Sequence, residues 1–186
     1  MSRRRDELLA IAADLFAEHG FANVTVDDIG DAAGVSGPAL YHHFDSKEAL
    51  LGETLIGISE YLLAGGRAVA DAGGADVVER LVRFHAEFAV DDRSLITVHF
   101  RDLVHATAGD RSQVRNLQAR YVALWADALQ AEARSLDRDA AEAAVHATFG
   151  LINSTPFSAR LPREQMLDLL SSMATAALGA SRLHQG

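Results

Sequence analysis

Residues 25–47, TVDDIGDAAGVSGPALYHHFDSK, limit what this chain can fold into more than any other stretch. Thr25 is a good N-cap, and Asp28 three residues on completes a weak capping box. Asp27 and Asp28 lie in the first turn, where carboxylates favour the positive end of a helix dipole. Ile29, Ala32 and Ala33 form one apolar face at helical spacing, and Gly34 then supplies a left-handed stop. Only Val35 separates that stop from Ser36, the cap of a second helix. Pro38 is tolerated there because its missing N–H falls in the first turn. Leu40 and Phe44, four apart, face the core, and Asp45 with Glu48 opens a long helix near Lys47. Two short helices joined by a tight turn, with a third beginning directly after, is the geometry that places one helix in the DNA major groove.

The run AGVSGPALYHHFDSKEAL, residues 33–50, resembles the helix-turn-helix of the TetR family of bacterial transcriptional regulators. Residues 15–21, LFAEHGF, are similar to the end of that family's first helix. The match covers roughly the first quarter of the chain. The resemblance implies an all-α fold. An N-terminal three-helix helix-turn-helix DNA-binding domain, residues 1–46, would be joined by a long helix 4 to a helical ligand-binding and dimerisation domain, residues 47–186. It further implies a cytoplasmic homodimer whose two recognition helices read a palindromic double-stranded operator. A small hydrophobic effector would release this repressor by shifting helix 4. In that family Tyr41, His42 and Lys47 stand where phosphates are contacted. Ser36 joins them, and Ala39 is placed to touch a thymine methyl, with Thr25, Gly37 and Pro38 framing the turn. Many relatives carry a Lys, Arg or Thr at the start of this helix. Ser36-Gly37-Pro38-Ala39 therefore departs from bidentate guanine readout. Arg3, Arg4 and Arg5 read either as a minor-groove arm or as a solubilising tail.

Charge cuts the other way. The chain of 186 residues carries a net charge of −9, and residues 1–50 hold four basic against nine acidic side chains, −5 in that part alone. A nucleic-acid binder is usually basic. A few positioned donors and helix N-termini nevertheless suffice to hold phosphates without adding formal charge. The expected consequence is weak nonspecific binding and a modest salt slope. With no cysteine, disulfides, thiolate metal sites and cysteine nucleophiles are excluded, and a reducing compartment is the natural setting. No apolar run reaches transmembrane length, and the opening MSRRR lacks the apolar core of a signal peptide.

Three prolines leave long helices unobstructed. The periodicity predicts helices over 4–19, 47–70, 76–89, 94–106, 110–134, 136–154 and 162–181, with Pro156 stopping the penultimate one. Gly52, Gly57 and the Gly65-Gly66 pair interrupt the helix over 47–70, each at roughly 1 kcal/mol relative to Ala. Gly52 is read as close packing against the first helix, whereas Gly57 could serve packing or bending. Ala140, Ala141, Ala144, Val145, Thr148 and Ile152 line one side of the penultimate helix, and Met166, Leu169, Leu170, Met173, Ala177 and Leu178 one side of the last. This is core packing or, as the resemblance implies, a symmetric four-helix interface between subunits.

The body also holds residues suited to a mostly apolar effector pocket with few polar anchors. Phe88, Phe100, Tyr121, Trp125 and Phe149 supply the lining, and His85, His99, His146 or Asn153 the orientation. Arg101 or Arg120 could anchor an anionic ligand. The segments Arg120-Tyr121…Trp125 and Phe149…Asn153-Ser-Thr-Pro-Phe157 look similar to regulators of acyl-CoA and lipid breakdown. Two rivals stand beside this reading. One is a multidrug-type regulator of hydrophobic cations, favoured if acidic side chains lie buried beside the aromatics. The other is a helical adaptor that keeps the helix-turn-helix for packing alone. Catalysis has no foothold: no H-E-x-x-H, no P-loop, no G-x-G-x-x-G and no G-x-S-x-G occurs, and His85-Ala86-Glu87 lacks the C-x-x-C that zinc deamination needs. No catalytic residue, metal site or cofactor is expected.

Overall fold

The computed structural model describes residues 3–133 and 136–181, with backbone alone for Arg3 and Ser181. Among the described residues the regular structure is helical throughout: α1 Arg3–His19, α2 Val26–Ala33, α3 Gly37–Leu40, α4 Lys47–Asp71, α5 Val77–Asp91, α6 Arg93–Asp102, α7 Ala108–Glu132, α8 Arg138–Ile152, α9 Thr155–Ser158 and α10 Arg163–Ser181. Single 3₁₀ turns occupy Phe21–Asn23 and Leu103–His105. None of these helices is long and apolar enough to cross a membrane. The chain forms two compact units. One comprises the chain up to Glu60 together with Ser94–Asn116, and the other Tyr61–Arg93 together with everything from Leu117 onwards.

In the first unit the local chemistry sets the helix ends. The Thr25 N–H donates to Asp28 Oδ2 at 2.7 Å and the Asp28 N–H to Thr25 Oγ1 at 3.1 Å, a full capping box. These bonds hold the Asp28 carboxyl below the usual carboxylate range. Gly34 ends α2 at φ 67°, and Ser36 caps α3, its Oγ accepting from the Ala39 N–H at 3.3 Å. Gly30 is buried in α2 because α2 meets the turn there; a Cβ would lie 2.8 Å from the Val35 carbonyl oxygen. Leu8, Phe16, Ile29, Leu40, Leu50, Leu51 and Leu55 are fully buried around this turn.

The first unit extends past the boundary expected at residue 46. The first part of α4, α6 and the start of α7 belong to it. Arg101 of α6 donates to the Phe16 and Ala17 carbonyls at the end of α1, and Asp102, 2% exposed, accepts from the same guanidinium at 3.0 Å. The His105 ring stacks on Phe21, centroids 5.1 Å apart. Gly52 is required, but by Asp110 of α7 rather than by α1, since a Cβ would overlap that carboxylate.

The second unit packs α10 against α5 and α8, with Val78, Leu81, Val82, Trp125, Leu129, Val145, Leu167 and Leu178 buried. Arg163 at the head of α10 forks onto both Asp91 oxygens at the end of α5, at 2.5 and 2.6 Å, and this holds the Asp91 carboxyl down. Gly65 and Gly66 do not interrupt α4; their bare Cα atoms admit the rings of Phe84 and Tyr121. Gly57 meets nothing within 4 Å. The expected end at Arg134 lies outside the described residues, and α7 stops at Glu132. Helix α8 ends at Ile152, before Ser154, with Asn153 as its C-cap. Pro156 falls in the first turn of α9, so here proline opens a short helix instead of closing the previous one.

Candidate functional site

Two sets of side chains merit attention, one in each unit. In the first, the exposed side chains from the cap of α3 to the turn after it are Ser36, Pro38, Tyr41, His42 and Asp45, with Ala39 half-buried and Gly37 buried against the Asp27 carboxylate. Tyr41 is 55% exposed. Thr25 is exposed, but its hydroxyl is engaged with Asp28 at 2.6 Å.

Of the cations expected to meet DNA, Arg4, Arg5 and Lys47 are engaged by main-chain carbonyls of the unit. Lys47 Nζ donates to the Phe21 and Val24 carbonyls at 2.8 and 2.7 Å and lies 4.2 Å from the Phe21 ring centroid. Arg4 donates to the Ala33 carbonyl at 2.6 Å and to Glu7 at 2.7 Å. Arg5 donates to the His43 carbonyl and to Glu53, with its guanidinium 4.3 Å over the Phe44 ring. Residues 3–5 are therefore the first turn of α1, and Arg4 and Arg5 close the ends of α2 and of the α3 turn. The Arg3 side chain lies outside the described residues. The carbonyls that end a helix lack intrahelical partners, and a cation is the strongest donor for them. That is the physical reason these side chains turn inward.

In the second unit His85 is the centre. It is 2% exposed and stacks on Phe149, centroids 4.6 Å apart at 12°, with Tyr121 at 5.8 Å and the edge of Trp125 at 6.0 Å. Its Nε2 lies 3.0 Å from Asn153 Oδ1 and its Nδ1 3.2 Å from the Tyr121 hydroxyl. An amide oxygen only accepts, so Nε2 carries the proton and Nδ1 accepts from the phenol. Burial pushes the imidazole down to about 4, partly offset by the bond to Asn153, so the ring is neutral. Burial also raises the Tyr121 phenol. Trp125 Nε1 and Thr155 Oγ1 are buried without a partner among the described residues.

Of the residues expected to line an effector pocket, His85, Phe88, Tyr121, Trp125, Phe149 and Asn153 come together here. His99 and Phe100 sit on α6 in the first unit, edge to face at 5.5 Å, with Phe100 65% exposed. His146 is exposed on α8. Arg101 is committed to the end of α1. Arg120 is exposed and lines an open cleft of about 1070 Å³, together with Arg67, Ala70, Val77, Leu124 and Ala128. Gly66 and Tyr121, the sequence neighbours of Arg67 and Arg120, touch across α4 and α7, a Gly66 Cβ lying 2.6 Å from the Tyr121 ring. Sequence reasoning missed Arg67 and Tyr61. Tyr61 is 56% exposed, with its ring 6.1 Å from Phe88. Its spacing ahead of the paired glycines that admit Phe84 and Tyr121 was the available signal.

Comparison with known proteins agrees with this architecture. Residues 8–54 match the family model described as bacterial regulatory proteins, tetR family, and residues 71–157 match the tetracyclin repressor-like C-terminal domain. The chain is 39% identical over 134 residues to the HTH-type transcriptional repressor KstR2 of Rhodococcus jostii (strain RHA1), covering 70% of this chain and 65% of that protein. It thus spans just under two thirds of that relative's length. The solved structure of the ketosteroid transcriptional regulator KstR2 of Mycobacterium tuberculosis superposes with a TM-score of 0.81 at 25% identity, covering 97% of this chain and 95% of that one. A TetR-family regulator from Bordetella parapertussis 12822 gives 0.82 at 24% identity, with the same coverage. The chain belongs to the TetR family of bacterial regulatory proteins.

Proposed function

We propose that this chain is a ligand-responsive transcriptional repressor that binds a palindromic operator as a homodimer and leaves it when a small hydrophobic effector binds. The observation that carries this reading is the capped α2–turn–α3 pair, with Ser36, Tyr41 and His42 exposed on one side and Leu40 and Phe44 buried on the other. Two copies of α3 would enter successive major grooves, roughly 34–36 Å apart. Four large exposed apolar side chains, Phe157, Leu161, Leu169 and Met173, lie on and between α9 and α10 and support pairing through the C-terminal helices. Similarity to a Rhodococcus repressor supports repression over activation. The effector must favour the released state, since a ligand with equal affinity for both states shifts nothing.

For the effector we favour an uncharged or anionic lipid-derived molecule, such as an acyl-CoA thioester, over a hydrophobic cation. A cation needs a buried carboxylate as counterion. Among the described residues of the second unit the buried polar side chains are His85, Thr148 and Thr155, none of them acidic. Similarity to the Mycobacterium protein, a ketosteroid transcriptional regulator, points to the same apolar class.

A gel-shift experiment with the DNA upstream of the chain's own gene tests the first part. Specific retardation supports the repressor, and failure across several salt concentrations supports the adaptor alternative. Trp125 is the single tryptophan, so its fluorescence reports the effector class. Acyl-CoA thioesters and fatty acids are expected to quench it and release the DNA. Release by hydrophobic cations instead would reverse the assignment.

A further inference from the structure

The open cleft of the second unit lies between the last turns of α4 and the latter half of α7, and Ala70, Val77, Leu124 and Ala128 give it an apolar lining. The two helices pass it in the same direction. Gly66 meets Tyr121 at one end, and at the other the Val78 N–H donates to Glu132 at 3.4 Å. Charge is therefore sorted along its length. Arg67 and Arg120 stand at the first end. Asp71 follows one turn further along α4 and Asp127 two turns further along α7, roughly 6 and 10 Å on. Among the described arginines of this unit, Arg80, Arg83, Arg138 and Arg163 are taken up by carboxylates, and Arg93 is engaged as well. Arg67 and Arg120 are exposed and make no ion pair or hydrogen bond among the described residues. The same holds for Arg160, which is not part of the cleft.

We propose that this cleft binds a nucleotide, with its phosphates on Arg67 and Arg120. A guanidinium presents paired donors that match phosphate oxygens, and two of them at one end of a cleft give the anion a fixed place. The carboxylates further along only accept, so they suit groups that donate, such as ribose hydroxyls or the amino group of a base. Asp127 is held by Arg138 through Oδ1, which leaves Oδ2 for such a donor. A simple anion would meet repulsion from Asp71 and Asp127, and a simple cation repulsion from the arginines. A nucleotide satisfies both ends and lays its flat base on the apolar lining between them. The volume of about 1070 Å³ is ample for it, since small-molecule clefts run to roughly 300–1,000 Å³. The nucleotide has two sources, a free one or the nucleotide end of a coenzyme A thioester. The site stands independently of operator binding, so its test needs no DNA.

The test is isothermal titration calorimetry of the full chain in phosphate-free buffer at constant ionic strength, with ADP, pyrophosphate, adenosine, coenzyme A and palmitoyl coenzyme A as probes. ADP is expected to bind, and pyrophosphate and adenosine to bind roughly tenfold more weakly or worse, because each lacks what one end of the cleft holds. Arg67→Ala and Arg120→Ala should each weaken ADP roughly tenfold. Their melting temperatures should match the wild type's, since neither side chain has a bond to lose. Palmitoyl coenzyme A binding more tightly than coenzyme A, with the same dependence on both arginines, supports the site and makes the nucleotide the head of a thioester. Affinity for ADP and coenzyme A that the acyl chain does not improve supports the site and makes the nucleotide a free one. A folded chain that binds neither ADP nor coenzyme A overturns the proposal. So does pyrophosphate or adenosine binding as tightly as ADP, or nucleotide affinity that survives in the Arg67→Ala, Arg120→Ala double variant.

Discussion

Acidification should weaken the second unit through His85 in particular. The ring is buried, neutral, and held at about 4 against an ordinary value of 6.5. The unfolded chain therefore binds a proton that the folded one refuses, and stability falls as pH drops from about 6.5 toward 4. With one factor of ten in proton affinity worth about 1.4 kcal/mol, the loss between about pH 7 and pH 5 comes to about 2 kcal/mol, approaching 3 near pH 4. Asp28 and Asp91, both held below their ordinary carboxylate value, add their own losses only at still lower pH. The interval between about pH 7 and 5 thus excludes the carboxylates and leaves His85 together with His99, whose imidazole burial also lowers. Urea unfolding at several pH values across it gives the slope directly. His85→Gln keeps an amide against Asn153 and Tyr121 but cannot titrate, so its slope should be shallower than the wild type's by the His85 share, with the His99 share remaining. A wild-type slope near zero, or the same slope in both proteins, would show that the buried ring does not control acid stability.

Three further outcomes follow from contacts already described. Gly57→Ala, with open space around the new methyl, should stabilise the chain by about 0.5–1 kcal/mol, whereas Gly30→Ala should destabilise it, because overpacking against the Val35 carbonyl costs about 1–3 kcal/mol. Thermal melting of both variants checks the opposite signs. Lys47→Ala should cost about 2–3 kcal/mol in urea unfolding by removing charged donors from two carbonyls, so any loss of operator affinity would come with a loss of stability. Arg163→Ala should cost less than about 1 kcal/mol despite its bidentate geometry, since both partners are nearly half exposed. A larger loss in the same assay would mean that the link between α5 and α10 is screened less than its exposure implies.

The parts of the fold that sequence reading located are those decided within a few residues. Thr25 with Asp28, Gly34, and Ser36 with Ala39 each complete their bonding within three or four positions, so residue identity alone sets the ends of α2 and α3. Residues Tyr121 with Trp125 and Phe149 with Asn153 share helix faces by spacing, and those pairs do meet at His85. The assignment of α6 was not legible. His99 and Phe100 looked like pocket residues because they are aromatic and lie in the body of the chain. What places them in the first unit is Arg101 reaching the end of α1, more than eighty positions away, and no local pattern announces that bond.

The same blindness explains the conflict between charge and motif. Counting four basic and nine acidic side chains treated every cation as available to a partner. The count was already unfavourable, yet it overstated what this unit offers, because Arg4, Arg5 and Lys47 close helix ends and a turn. Their acceptors are main-chain carbonyls, which carry no sequence signature, at separations of 29, 38 and 26 residues. Binding charge is a property of the cations that find no carbonyl.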